Sequence, residues 1–536
     1  MRRVTRASGK GRSMTTATRS SGAEKRPGWL PLLAGLALLL VCPLASYHAD
    51  FDLWGHLTFG EEMIRSGEII RGDPYSFTAS GRIETRHEWL SEVWMAAAWE
   101  AGGRRGLWLY ASSLILLLSL VLLSMLRQRT ERAVVALLLL GVFLAFLGVG
   151  RSVRPHLHSY LNAALLVALL GRVEAGPRGR LLWFVPPLFA LWANLHGGFL
   201  AGLGILAVYS AVAIVRKRPF RATLAVVFGV SAVATLANPY GPGLWAFLAS
   251  SLSTPRGEIA EWKSVLADYS LSRFVLSVIL LVLGSVLFRR ERMRPPEIAC
   301  FFFTSIFAVL HIKHIPFAAL FWVILLAPSI DGSLSVVGRK EDRAGRVIGK
   351  AVRILLGFFL AVMILRGPAR VLTSSLKGDR GVAVSTADYP IAAVSFMREA
   401  NLSGNVICHF NWGEFLIATL YPECRVSIDG RYRTVYPNRV LDQHFDWLRG
   451  REAGHELLRR EDADMILTYS ASKKGREMVE EGGGWVSVYE DPVSVLYMRA
   501  GDPAMERAEA EAERREPAAL PAFLPFDLHG ANFGSP

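Results

Sequence analysis

Cysteine is the scarcest informative residue here: four in 536 positions, namely Cys42, Cys300, Cys408 and Cys424. So few, so widely spaced, exclude a disulfide-dense scaffold and a cysteine-based zinc module. Cys42 and Cys300 fall inside apolar runs, which leaves Cys408 and Cys424 as either one disulfide or two buried thiols. A Gly-rich phosphate loop, tight zinc-ligand spacing and an internal repeat are all missing as well. Acid is in deficit, 46 Asp and Glu against 60 Lys and Arg, for a formal charge of +14.

Apolar residues are what the chain has in excess. A hydrophobic content of 52% and a mean hydropathy of +0.31 exclude an ordinary soluble enzyme of this length. Runs close to the ~20 residues needed to cross hydrocarbon recur eleven times, at 29–47, 106–126, 133–150, 156–170, 181–195, 199–215, 222–236, 271–288, 298–310, 316–330 and 351–365. Basic residues then set the orientation, because Lys and Arg loops stay on the cytoplasmic side. Residues 1–28 hold eight cations and one acid, and the alternate loops 127–132, 172–180, 216–221, 289–294 and 339–353 hold twenty Lys and Arg in total. The charge is a topology signal, so no nucleic-acid partner is expected. Cleavage of 29–47 as a signal peptide after Leu44-Ala45-Ser46 is the competing reading.

These patterns predict a mainly α fold: a polytopic helical membrane protein of about eleven transmembrane helices with a C-terminal extracytoplasmic α/β domain. The expected divisions are a basic segment 1–28, a membrane domain 29–368 with its first outer loop at 48–105, the α/β domain 369–500, and a charged tail 501–536. In the first outer loop, Leu53, Leu57, Phe59, Met63 and Ile64 share one helical face between Asp52 and Ser66-Gly67. A second helix, with Trp89, Val93, Trp94, Ala97 and Ala98 on its apolar face, is predicted to lie flat on the outer leaflet. Beyond the last span, short alternating runs at 389–399, 405–410, 412–420, 425–428, 465–469, 485–489 and 493–498 read as mixed helix and strand.

The polar residues at the membrane edge gather on the outer face. They are Asp50, Asp52 and His56; Asp73 in Asp73-Pro74-Tyr75-Ser76-Phe77-Thr78; His87 and Glu88; Arg151 and Arg154; His196; Asn238; and Lys313 with His314. Such groups are costly at membrane depth, and their recurrence in several loops predicts one cavity. Each has a plainer reading too: Asp52 as a helix N-cap, Asn238-Pro239 as a stop signal, His196-Gly197-Gly198 as a turn.

The arrangement resembles the GT-C class of polytopic glycosyltransferases, among them the dolichyl-phosphate-mannose protein mannosyltransferases and the bacterial lipid A aminoarabinose transferases. In that class an acid opens the first outer loop, a helix follows, and a small residue with Gly closes it; Asp52, the helix and Ser66-Gly67 match. Leu53 stands where the class often has a second acid, with Asp50 two residues earlier, which leaves either carboxylate as the base. Along 29–365 the chain is similar to a bacterial branch near this class, which implies an inner-membrane protein with a cytoplasmic N-terminus.

The resemblance implies transfer of a sugar from a polyprenyl-phosphate donor, drawn from among the membrane lipids, to a cell-envelope glycan, lipid or protein acceptor. That chemistry needs a base for the acceptor hydroxyl, Asp52 or Asp50, and cations for the departing phosphate, for which Arg151, Arg154, Lys313 and His314 are the candidates. His56, Asp73, His87, Glu88, His196 and Asn238 are expected to bind substrate, and Asp50, His56, His87 and Glu88 are also the candidates for a divalent metal ion. In the tail domain, Asp429 and Arg431 in Ser427-Ile428-Asp429-Gly430-Arg431 are expected either to bind the acceptor or to pair with each other. The competing function classes are a non-enzymatic scaffold or transporter for polysaccharide export, and a ligase or polymerase of lipid-linked glycans without an Asp base.

Overall fold

A computed structural model describes residues 47–147, 152–176, 179–253, 256–335, 382–515 and 523–524. The expected segment 1–28, the spans at 29–47 and 351–365, the basic loop at 339–353, Arg151 and most of the extreme tail lie outside them, apart from Tyr47.

The membrane part is helical throughout: α1 (Leu53–Ser66), α2 (Trp89–Arg127), α3 (Ala133–Leu147), α4 (His156–Glu174), α5 (Val185–Leu195), α6 (Phe199–Val215), α7 (Arg221–Ala234), α8 (Gly243–Ser253), α9 (Tyr269–Arg289), α10 (Pro295–Leu310) and α11 (Ile315–Ser335). Among the described residues, Trp89–Arg127, Tyr269–Arg292 and Ile312–Gly332 are long and apolar enough to cross a bilayer, and five shorter helices are apolar. Every apolar run expected within the described residues falls on a helix. Unforeseen is α8, which falls on none of the expected apolar runs. Helix α1 stops at Gly67, where φ of +69° favours a residue without a side chain.

The helix expected to lie flat is the first part of α2, set off from the rest by a kink at Gly102 and Gly103. Its buried residues Ser91, Glu92, Met95, Ala96 and Trp99 form the face that packs against α1. The approach is close: a Cβ on Gly60 of α1 would stand 2.8 Å from that of Ala96. The apolar face named for the outer leaflet, Trp89, Val93, Trp94, Ala97 and Ala98, is a different one, half-buried to exposed.

The α/β domain comprises β2 (Val382–Ser385), α12 (Ile391–Glu399), β3 (Gly404–Cys408), α13 (Gly413–Leu420), β4 (Cys424–Val426), α14 (Asn438–Arg449), α15 (Gly454–Leu458), β5 (Met465–Tyr469), α16 (Lys473–Gly482), β6 (Trp485–Glu490), β7 (Ser494–Arg499) and α17 (Met505–Arg514). Five strands form one sheet in the order β4-β3-β5-β7-β6, the first three parallel and the last two antiparallel. The short strand β1 (Tyr47–His48) and residues Phe523–Leu524 pair with opposite sides of β2. Cys408 and Cys424 are free thiols, because the parallel register sets Cys424 opposite Gly404, at the far end of β3 from Cys408.

The outer loop is joined to this sheet. Ser76 bridges in parallel to Val426, Phe77 N–H donates to the Val426 carbonyl at 3.2 Å, and Val426 N–H donates to the Tyr75 carbonyl at 3.1 Å. Residues Tyr75 to Thr78 thereby extend the sheet past its β4 edge, covering backbone groups that would otherwise stand open.

Candidate functional site

The start of α1 divides labour between two acids. Asp50 Oδ1 accepts from the Leu53 N–H at 3.1 Å, so the helix is capped by Asp50 and not by Asp52, whose side chain makes no cap bond. Asp52 turns instead to Arg154, which meets its Oδ2 through Nη2 at 2.8 Å, touches Asp50 through Nε, and reaches Glu261 at 3.5 Å. Arg154, expected to hold phosphate, is already shared among three carboxylates. Burial pushes the Asp52 carboxyl up to about 6, against the pull of Arg154 and with help from Asp50. A third of its side chain remains exposed, which leaves one side of the carboxylate open to a reactant.

A further acid arrives from the α/β domain. Glu414, in the first turn of α13, is 5% exposed and accepts the Gly55 N–H of α1 on Oε2 at 3.1 Å. Two glycines make room for it. A Cβ on Gly55 would collide with the Glu414 carboxyl, and one on Gly430 would stand 2.6 Å from Glu414 Oε1 and 2.8 Å from Asp52 Oδ1. Both carboxyls therefore lie against one glycine. Burial first, then the charges of Asp52 and Asp429, push the Glu414 carboxyl well above the usual carboxylate range.

Imidazoles form the next layer. His56 Nδ1 meets Glu92 Oε1 at 3.1 Å, and Glu88 Oε1 lies 3.3 Å from His87 Nε2 and 3.4 Å from His196 Nε2. His196 Nδ1 accepts from the Gly198 N–H at 2.9 Å and from the Ser159 hydroxyl at 2.6 Å, so its Nε2 carries the proton facing Glu88. Nearby, Trp89 donates to Asn194 at 2.9 Å, tying the outer-loop helix to the end of α5. Asp50, His56, His87 and Glu88 do not converge on one point. Among the described residues no three potential ligands are grouped to hold a metal ion, so the metal expectation does not fit the residues present.

The other expected residues are distributed as follows. The Lys313 ammonium lies 2.9 Å from the Trp262 ring centroid, with the Arg256 guanidinium 4.5 Å from the same ring. His314 is ringed by Phe307, His311 and Phe317. Asn238 closes its own turn, donating to the Thr235 carbonyl at 2.7 Å and accepting from Tyr240 N–H at 2.8 Å, so it does not reach the Asp52 centre. Asp73, Asp429 and Arg431 form a buried cluster between outer loop and α/β domain, with Arg431 on Asp73 at 2.7 Å, Asp429 at 2.6 Å and Glu84 at 3.1 Å. Asp73 is 1% exposed and Asp429 0%, which leaves neither an open face for donor or acceptor.

Glu414, Glu261, Trp262 and Gly430 were not anticipated. Glu414 had a signal, a lone acid within the apolar stretch Phe410 to Leu420. Glu261 and Trp262 sit in a short polar loop with no pattern to mark them.

No family model and no curated protein matches this sequence. Solved structures do. The archaeal oligosaccharyltransferase AglB from Archaeoglobus fulgidus, in complex with an inhibitory peptide and a dolichol-phosphate, superimposes with a TM-score of 0.55 at 11% identity, over 94% of this chain and 78% of that one. The apo form of the Archaeoglobus fulgidus oligosaccharyltransferase gives 0.51 at 13% identity, over 89% and 76%. At such identities the likeness is one of fold.

Proposed function

From the GT-C fold of this chain we propose that it is a membrane glycosyltransferase, moving a sugar from a polyprenyl-phosphate donor to a cell-envelope acceptor on the outer face of the bacterial inner membrane. Asp52 is the base. Its partly open carboxylate, held by Arg154 at the start of the first outer-loop helix, carries this reading. The acceptor hydroxyl gives its proton to Asp52 as its oxygen attacks the anomeric carbon, and the bond to the phosphate oxygen breaks with its electron pair on the phosphate. Lys313 and Arg256, beside Trp262, have no carboxylate within ion-pair distance among the described residues, which suits them to that departing anion better than Arg154. The prenyl chain lies along the apolar helices. That AglB was solved with a dolichol-phosphate supports a lipid-borne donor.

Deleting the protein should change the glycan or glycolipid composition of the envelope, measured by mass spectrometry of extracted fractions. An unaltered envelope would remove the proposal. The reaction should also be pH-dependent with a definite sign. Asp52 must be ionised to act, and its carboxyl is pushed up to about 6. Transfer in isolated membranes should therefore be level above neutrality and fall about tenfold per unit once pH drops below that value. A rate independent of pH down to the usual aspartate range would contradict the assignment.

A further inference from the structure

The α/β domain does more than cover the membrane part, because it places Glu414 beside Asp52. The placement is built rather than incidental. Helix α13 begins at Gly413, where a Cβ would run into the backbone of Ile428 and Asp429, so the helix start is pressed against the loop after β4. Gly430 in that loop and Gly55 in α1 form the two walls of the slot, and the Gly55 N–H fixes Oε2. The remaining oxygen, Oε1, lies on the Asp52 side of Gly430.

The charges around the slot are few and can be named. Asp52 faces Glu414 from the loop before α1, Arg154 from the loop before α4, and Asp429 and Arg431 from the loop after β4. Arg154 is divided among Asp50, Asp52 and Glu261, and Arg431 among Asp73, Glu84 and Asp429. Neither forms an ion pair with Glu414 among the described residues. Two carboxyls pressed against one glycine, with Arg154 paired to Asp52 and no cation paired to Glu414 among the described residues, favour one proton on the pair.

We propose that Glu414 is a positioning residue of the Asp52 centre, delivered by the α/β domain and carrying the one proton that the two carboxyls share. The inference rests on Asp52 being the base. Glu414 is too buried to touch an acceptor and acts through Asp52: its protonated carboxyl orients the Asp52 carboxylate and keeps a second negative charge away from it. Transfer at Asp52 consequently requires the α/β domain to be docked.

The test uses the full chain in lipid nanodiscs and in cells lacking the native copy. Infrared spectra at pH 7 should contain a protonated-carboxyl band that Glu414→Gln removes and Asp52→Asn retains. In cells, Glu414→Ala should lower restoration of the envelope glycans about tenfold or more, and Glu414→Gln should recover most of that loss, since an amide is neutral and can still accept from Gly55. A band that survives Glu414→Gln, or a Gln variant as impaired as the Ala variant at equal protein level, would overturn the proposal. If Asp52→Asn restores the envelope in full, the base reading itself fails and takes this inference with it. If Asp52→Asn is inactive while the Gln and wild-type spectra coincide, only the role of Glu414 fails.

Discussion

Asp52→Asn is expected to reduce transfer by a factor of about 100 to 10,000, the usual worth of a positioned general base. The change keeps the side-chain volume, and an amide oxygen can still accept from Arg154 Nη2. Arg154 also retains Asp50 and Glu261, so no buried guanidinium is stranded. Helix α1 is untouched because its cap comes from Asp50. Loss of activity would therefore report on basicity rather than folding. The measurement is restoration of envelope glycans by the variant in deletion cells, with membrane protein level as control. Full restoration would exclude Asp52 as base and favour a scaffold, whose work needs no proton acceptor.

Arg431→Met should be the most damaging single change for stability. Arg431 is the shared cation of Asp73 and Glu84 from the outer loop and Asp429 from its own domain, and the Tyr436 hydroxyl donates to Asp429 at 2.5 Å. Removing it leaves Asp73 and Asp429 buried without a counter-charge, while Glu84 keeps Arg86 at 3.0 Å, a loss of about 3–5 kcal/mol for breaking a buried pair. The pH dependence has a clear direction. Burial alone would raise Asp429, yet Arg431 and its hydrogen bonds hold the carboxyl below the usual carboxylate range. In the wild type that contribution is present above the unfolded-state pKa and is lost as pH falls through the lower folded value. The variant should be least stable relative to wild type at neutral pH, and the gap should narrow in acid as the orphaned carboxylates take up protons. Thermal unfolding of the purified full chain across pH 4 to 7 measures this, and a melting temperature unchanged at pH 7 would refute the account.

Much of the fold could be read in the chain because hydropathy is a local signal. The runs behind α3, α6 and α11 needed only their own composition, and the period of Leu53, Leu57, Phe59 and Met63 was enough for α1. The short apolar runs behind β5 and β7 could be read for the same reason. What could not be read was which surface meets which. Glu414 and Gly55 are 359 residues apart, and nothing near either one encodes the other. Asp73-Pro74-Tyr75-Ser76-Phe77-Thr78 stood out as polar and aromatic, but its role as an added strand depends on the exposed edge of β4. Likewise Arg154 was recognisable as a cation, whereas its three acidic partners come from two different loops.

The strand contributed by the outer loop carries a consequence for biogenesis. Thr78 donates to the Ser427 carbonyl across 349 residues, so the ribosome makes this segment long before its partner exists. At synthesis rates of about 5–20 residues per second the segment waits roughly twenty to seventy seconds, through the insertion of every intervening helix. On the topology proposed above, the segment stays half-paired on the outer side throughout that interval. Pairing of the loop, and with it assembly of the proposed centre, is thus a late event that waits on synthesis of the last domain.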